Sequence, residues 1–293
     1  MKLLYSEKCL AYREEGYVEG PERLRALIAH LRLHGMTVFA EPPSCVEEDL
    51  LLVHTPELVR RVKENDFFLP DTPNLPHIYS YARAACGGAC AAMESALGGE
   101  PAFSLFRPPG HHAGRNYFGG FCFFNGIALA VKKALLLGRR VAVLDLDGHH
   151  GNGTEDILRG EESALFVSVH QHPAYPGTGV SSFGNCVNLT LPPGSDVVTY
   201  LKVLDEAARA VDDFRPDVLA VSMGFDAHRD DPLLELNLHE HDYAAIGRVV
   251  AARRKPFFIV LEGGYNTRVI GSSCFFFLRG LEGRRGNKQK GSS

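Results

Sequence analysis

Two carboxylates and a histidine stand at alternate positions where an apolar run ends: Asp145, Asp147 and His149 in Val141-Ala-Val-Leu-Asp145-Leu-Asp147-Gly-His149-His150-Gly-Asn152-Gly-Thr154. On an extended chain residues two apart project to one side, so the three polar groups face together. A catalytic zinc site commonly takes three protein ligands and leaves a position for water. Asp147, His149 and, from Gly224-Phe-Asp226-Ala-His228, Asp226 could supply them. Buried together without a cation, these groups would repel and would be costly to desolvate, which favours a metal over a self-satisfied ion-pair network. Two more polar clusters, Arg107-Pro-Pro-Gly-His111-His112 and Glu262-Gly-Gly-Tyr265, also follow apolar runs.

A phosphate-binding reading of Gly151-Asn-Gly153-Thr-Glu-Asp156 fails in detail. Asp156 replaces the third glycine of the dinucleotide fingerprint, no lysine follows, and the acids would repel phosphate. The glycines are read instead as letting the chain bend sharply beside a metal.

The elements that must position these clusters are short runs rich in Val, Ile, Leu and Phe at 102–106, 141–146, 165–169, 218–222 and 257–261. Such runs predict buried parallel strands. Helical stretches at 81–97, 125–137, 198–213 and 241–254 fall between them, so the chain predicts a three-layer α/β/α fold with a mainly parallel central sheet. Parallel strands carry their carboxyl ends to one rim, where residues distant in sequence meet in a crevice.

The 293 residues, 45% hydrophobic and 23% charged, suffice for one large domain, expected over 1–283, with a basic and disordered tail over 284–293. No repeat, secretory signal or run of transmembrane length is present, and the expectation is a cytoplasmic protein without membrane contact. Seven cysteines without a Cys-x-x-Cys pair exclude a disulfide framework, and Cys86 and Cys90 read as core residues of one helix. A net charge of −4 gives no footprint for direct nucleic-acid binding.

These motifs, together with Pro21-Glu-Arg23-Leu, Gly120-Phe-Cys-Phe-Phe-Asn125, Tyr175-Pro-Gly-Thr-Gly179 and Glu-Gly-Gly-Tyr-Asn, occur in an order that resembles the zinc-dependent histone deacetylases and acetylpolyamine amidohydrolases. The resemblance spans most of the chain and implies the arginase-deacetylase fold. It makes Asp147, His149 and Asp226 the ligands of one Zn2+, and Tyr265 the hydroxyl donated to the substrate carbonyl. It makes His111 and His112 general base and acid, partnered by Asp145 and Asn152 respectively; Asn152 points to the class II-like branch. It also implies K+ bound by Asp145, Asp147 and main chain near His149, Ser168 and Val169. Phe121 and Tyr175 would wall a substrate channel, with Gly120 and Gly264 beside them, Asp71 would grip the substrate backbone at the rim, and Arg23 would serve acetate release. His170, His172, His228, His239 and His241 receive no role.

Two departures from the family pattern stand out, the second bearing on substrate choice. Gly126 stands where the family continues Asn125 with a second Asn and is expected to loosen the helix start, and the loop 14–20 is atypical for a pocket-lining segment. The implied activity is a zinc-dependent deacetylase for acylated lysine in a peptide or protein. An acetylated small amine such as an acetylpolyamine is the alternative substrate, and a catalytically silent acyl-lysine binder is the alternative of another class. A two-manganese ureohydrolase would need further aspartates. The short segment 65–77 favours an open pocket and a monomer.

Overall fold

The computed structural model describes residues 1–37 and 39–283; the basic tail expected over 284–293 lies outside them. The apolar runs become the strands of one sheet: β1 Lys2–Leu4, β2 Phe39–Ala40, β3 Ala102–Ser104, β4 Val141–Asp145, β5 Ala164–Gln171, β6 Cys186–Leu191, β7 Val218–Met223 and β8 Phe257–Leu261. Their order is β2-β1-β3-β8-β7-β4-β5-β6, and every pairing is parallel. The five central strands are those the sequence predicts. The edge strands β1 and β2 are too short to signal, and β6 alternates buried with half-exposed positions rather than running apolar throughout.

Among the described residues the helices are α1 Pro21–Leu33, α2 Glu47–Leu50, α3 Pro56–Lys63, α4 Ile78–Leu97, α5 Gly126–Leu136, α6 Asn152–Leu158, α7 Val197–Phe214, α8 Tyr243–Ala252 and α9 Ile270–Glu282. They pack in two groups, α3 to α6 and α1 with α7 to α9, completing the layered α/β architecture. The predicted helix 241–254 is preceded by a 3-10 turn, Glu240–Asp242, and α8 proper starts at Tyr243. None of these helices is long and apolar enough to cross a membrane. Phe103, Phe166, Phe258 and Phe277 are fully buried between the layers, each contributing about 2–3 kcal/mol of transfer free energy.

Gly126 does not loosen its helix. Asn125 caps α5 by accepting from the Ala128 N–H at 2.9 Å, while a side chain at 126 would meet Ala89 and Cys86 of α4 at 3.3–3.4 Å. The position is one of close helix packing.

Candidate active site

The middle of the sheet places β3, β8, β7 and β4 side by side, and their carboxyl ends carry the four polar clusters. Asp147, His149 and Asp226 converge there, all buried, with one ligand atom from each lying within 4.8 Å of the others. His149 Nδ1 lies 2.8 Å from Asp226 Oδ2 and 3.1 Å from Asp147 Oδ1. Burial opposes a charged ring, yet these two carboxylates raise His149 to about 10, while burial and the neighbouring Asp147 push Asp226 up to about 7. A buried site that must hold protons on its own ligands is short of positive charge, and two carboxylates with an imidazole are a donor set that suits zinc. These residues therefore fit the metal.

The surrounding glycines leave room for the carboxylates. A Cβ on Gly224 would stand 2.1 Å from Asp147 Oδ2, and one on Gly263 2.4 Å from Asp226 Oδ2. Gly151 and Gly153 act similarly, which corrects the sharp-bend reading: Gly151 has φ −77° and Gly153 belongs to α6, but a Cβ at either would lie 2.1 Å from Asp145 Oδ2 or 2.4 Å from the Ala113 main chain.

Two histidines stand above this cluster in contrasting environments. His111 Nδ1 pairs with Asp145 Oδ2 at 3.1 Å, and its Nε2 lies 3.7 Å from Asp147 Oδ1. Against the cost of burial, Asp147 and then Asp145 raise it to about 10. His112 Nδ1 instead meets the neutral Asn152 Oδ1 at 2.8 Å; burial first, then the adjacent His111 and His149, hold its ring well below the usual imidazole range. Only His112 of the pair lines the cavity.

That cavity measures about 210 Å³. His149, His112 and Tyr265 form its deep end, and Phe121, Gly120, Tyr175, Asp71 and Leu233 its wall and mouth. Phe121 is held at φ +66° after Gly120 at φ +55°. A side chain at Gly120 would collide with the His112 ring at 2.6 Å. Asp71 Oδ2 accepts from the Tyr175 hydroxyl at 3.0 Å and from the Gly120 N–H at 2.9 Å, so one carboxylate ties three wall segments together. Tyr17, in the atypical loop, packs edge-on against Phe121 and donates its hydroxyl to the Pro70 carbonyl at 2.7 Å.

Arg23 is buried and donates to Gly264 O at 2.6 Å, Glu262 O at 2.7 Å and Glu19 Oε1 at 2.9 Å, with its guanidinium 4.6 Å from the Tyr265 ring centre. It is not a surface ion pair. Gly264, at φ +105°, is not among the cavity's lining residues; it turns the chain so that its carbonyl reaches Arg23. Burial above all raises the Tyr265 phenol well above 10, so it remains a donor. Ser168 sits beside Asp145 in strand register, and its hydroxyl pairs with His170 Nδ1 at 2.9 Å.

Several further residues position the site, and apart from Glu262, which heads the Glu262-Gly-Gly-Tyr265 cluster, they carry no signal in their own spacing. Glu262 Oε2 accepts from the Gly110 and His111 N–H groups at 2.7 and 3.2 Å, pinning the His-His loop. Asp231 accepts from the Tyr265 and Leu233 N–H groups at 2.7 and 3.0 Å. Glu19 lies between Arg23 and Arg107, two buried cations that hold it ionised against the cost of burial. His54 donates from Nδ1 to Gly114 O and accepts at Nε2 from the Asn125 N–H. Leu233, half-exposed at the mouth, lies in a loop no periodicity marks.

Residues 17–281 match the histone deacetylase domain. A protein of Methanothermobacter thermautotrophicus named "Probable deacetylase" is 38% identical over 97% of this chain and 91% of its own length. Acetylpolyamine amidohydrolase 2 of Pseudomonas aeruginosa is 39% identical over 70% of this chain and 62% of its own. The crystal structure of acetylpolyamine aminohydrolase from Burkholderia pseudomallei superposes with a TM-score of 0.89 at 28% identity, covering 96% of this chain and 98% of that one. The chain belongs to the histone deacetylase family, a family of zinc-dependent amidohydrolases with the arginase-deacetylase fold.

Proposed function

We propose that residues 1–283 form one catalytic unit that hydrolyses the amide of an acylated lysine side chain in a peptide or protein. The observation that carries the reading is the meeting of His112, His149 and Tyr265 at the closed end of a cavity walled by Phe121 and Tyr175. Zinc held by Asp147, His149 and Asp226 supplies the Lewis acidity that lowers the pKa of water and polarises an amide carbonyl. His112, with Nδ1 spent on Asn152, accepts a proton from water at Nε2 and returns it to the leaving nitrogen. His111, held by Asp145 at 3.1 Å and absent from the cavity lining, stands behind it; the family resemblance gives one proton transfer to each histidine, and comparison of His111→Gln with His112→Gln separates the two assignments. Tyr265 donates its hydroxyl to the oxygen that gains charge as water adds. Phe121 and Tyr175 enclose the methylene chain, Asp71 takes the substrate backbone, and Arg23 assists departure of the acyl product. K+ at Asp145, Asp147 and the main chain of His149, Ser168 and Val169 completes the reading.

An acetylpolyamine is the second substrate class, favoured by the names of several relatives. Against it stands the cavity lining, which offers a single carboxylate, Asp71, for a chain that carries more than one ammonium group. The test is hydrolysis by zinc-loaded protein of acetyl-lysine peptides, longer acyl-lysine peptides and acetylated polyamines, beside Tyr265→Phe and Asp226→Asn. Turnover of a lysine peptide, lost in both variants, supports the reading. Preference for the polyamine replaces it with the second, and no turnover at stoichiometric zinc replaces it with a silent binder.

A further inference from the structure

The proposed role of His112 requires an unprotonated Nε2 toward the cavity, and hence the proton on Nδ1. An amide partner does not secure this by itself. Asn152 can present either its carbonyl oxygen, which accepts from Nδ1–H, or its NH2, which donates to a bare Nδ1 and leaves the proton on Nε2. A carboxylate partner offers two equivalent oxygens and has no such ambiguity. What selects the orientation of Asn152 must therefore lie on the far side of its amide.

Tyr117 is there. Its hydroxyl donates to the Asn152 main-chain carbonyl at 3.0 Å and accepts from Asn152 Nδ2 at 3.3 Å, while Asn152 Oδ1 faces His112 Nδ1 at 2.8 Å. Because the phenol proton is committed to the carbonyl, its lone pair faces the amide, and a flipped Asn152 would set oxygen against oxygen. The placement is built into the chain: Gly114 N–H donates to Tyr117 O at 2.9 Å, closing a turn, and a Cβ on Gly114 would lie 2.4 Å from the Tyr117 ring. Glycine at 114 gives the ring its seat.

We propose that Tyr117 is a positioning residue that fixes the amide orientation of Asn152 and, through it, the Nδ1–H tautomer of His112. The inference rests on the proposed part of His112 in amide hydrolysis, but the tautomer can be read without turnover. One neutral hydrogen bond favours one of two orientations by roughly threefold to tenfold, so about 75–90% of the enzyme is competent with it and about half without it.

The experiment uses zinc-loaded protein carrying 15N-histidine, with the His112 ring assigned by its loss in His112→Gln, and long-range 1H–15N spectra that distinguish the two neutral tautomers. Wild type shows the Nδ1–H form, and Tyr117→Phe shows a mixture with Nε2–H. An unchanged tautomer in Tyr117→Phe overturns the proposal even if the wild type hydrolyses no substrate tried. With an active wild type, Tyr117→Phe lowers kcat by up to about twofold, as the competent share falls toward half, without raising KM, and loses that effect in an Asn152→Asp background, where orientation no longer matters. An equal loss in both backgrounds would mean that the hydroxyl acts otherwise, and would overturn it too.

Discussion

The floor and the mouth of the cavity are built differently. At the floor Asp147 and Asp226 are fully buried at strand ends, and each carboxylate also accepts a main-chain N–H, from Gly263 at 2.7 Å and Gly148 at 2.8 Å respectively. At the mouth Tyr175 is 45% exposed and Leu233 41%, both on loops; Tyr175 is held by one hydrogen bond to Asp71. Hydrogen bonds are worth more where water cannot replace them, and geometry set by a packed sheet cannot relax around a lost atom. The floor therefore fixes the reaction, and the mouth adjusts what enters.

That contrast orders the expected effects. The largest is removal of metal: chelation abolishes activity and lowers the melting temperature, since the favourable binding energy of the ion to the folded chain is lost, and added zinc restores both. Full activity in protein shown by elemental analysis to be metal-free would end the floor assignment. Next, Tyr265→Phe lowers kcat by about 10²–10³ with little change in zinc content, as loss of a donor to a developing oxyanion does; a loss confined to KM would move Tyr265 to the wall.

Between floor and mouth lies the frame beneath the His-His loop, where burial lowers His54 to about 4 from 6.5. The sign follows from the neutral ring being the folded form: the unfolded chain binds the proton first. This stability is fully present above pH 6.5 and is lost as pH falls toward 4, reaching about 3 kcal/mol. Denaturant unfolding of wild type and His54→Gln at pH 7 and 4.5 checks it, since the variant's stability changes less between the two; parallel losses would show that His54 titrates freely. The smallest effect belongs to the mouth. Tyr175→Phe removes one half-exposed hydrogen bond worth under about 1 kcal/mol, so KM for a peptide rises a few-fold at constant kcat, and steady-state kinetics showing a large fall in kcat would erase the distinction between mouth and floor.

The floor was legible in the sequence because its residues sit next to their strands and an apolar run announces each cluster; the extended-chain alignment stops at Asp145, where β4 ends, and Asp147 and His149 come together across a bend. The family's motif order then gave the partners His111 with Asp145 and His112 with Asn152, and the structure places both pairs in contact. Less was legible at the mouth and in the frame. Leu233, Asp231 and His54 lie in loops or short turns with no periodicity, and act through contacts with residues 34 to 71 positions away, such as Asp231 with Tyr265 and His54 with Asn125.

By itself, then, the sequence determined which groups do chemistry and that buried parallel strands would carry them to one rim, since both are local properties of residue type and alternation. Tertiary structure alone decided that His112 rather than His111 lines the cavity, that Gly264 turns away to receive Arg23, and that a tyrosine stands behind Asn152. Those outcomes depend on how far one backbone can approach another, a matter of packing between elements that no single stretch of chain encodes.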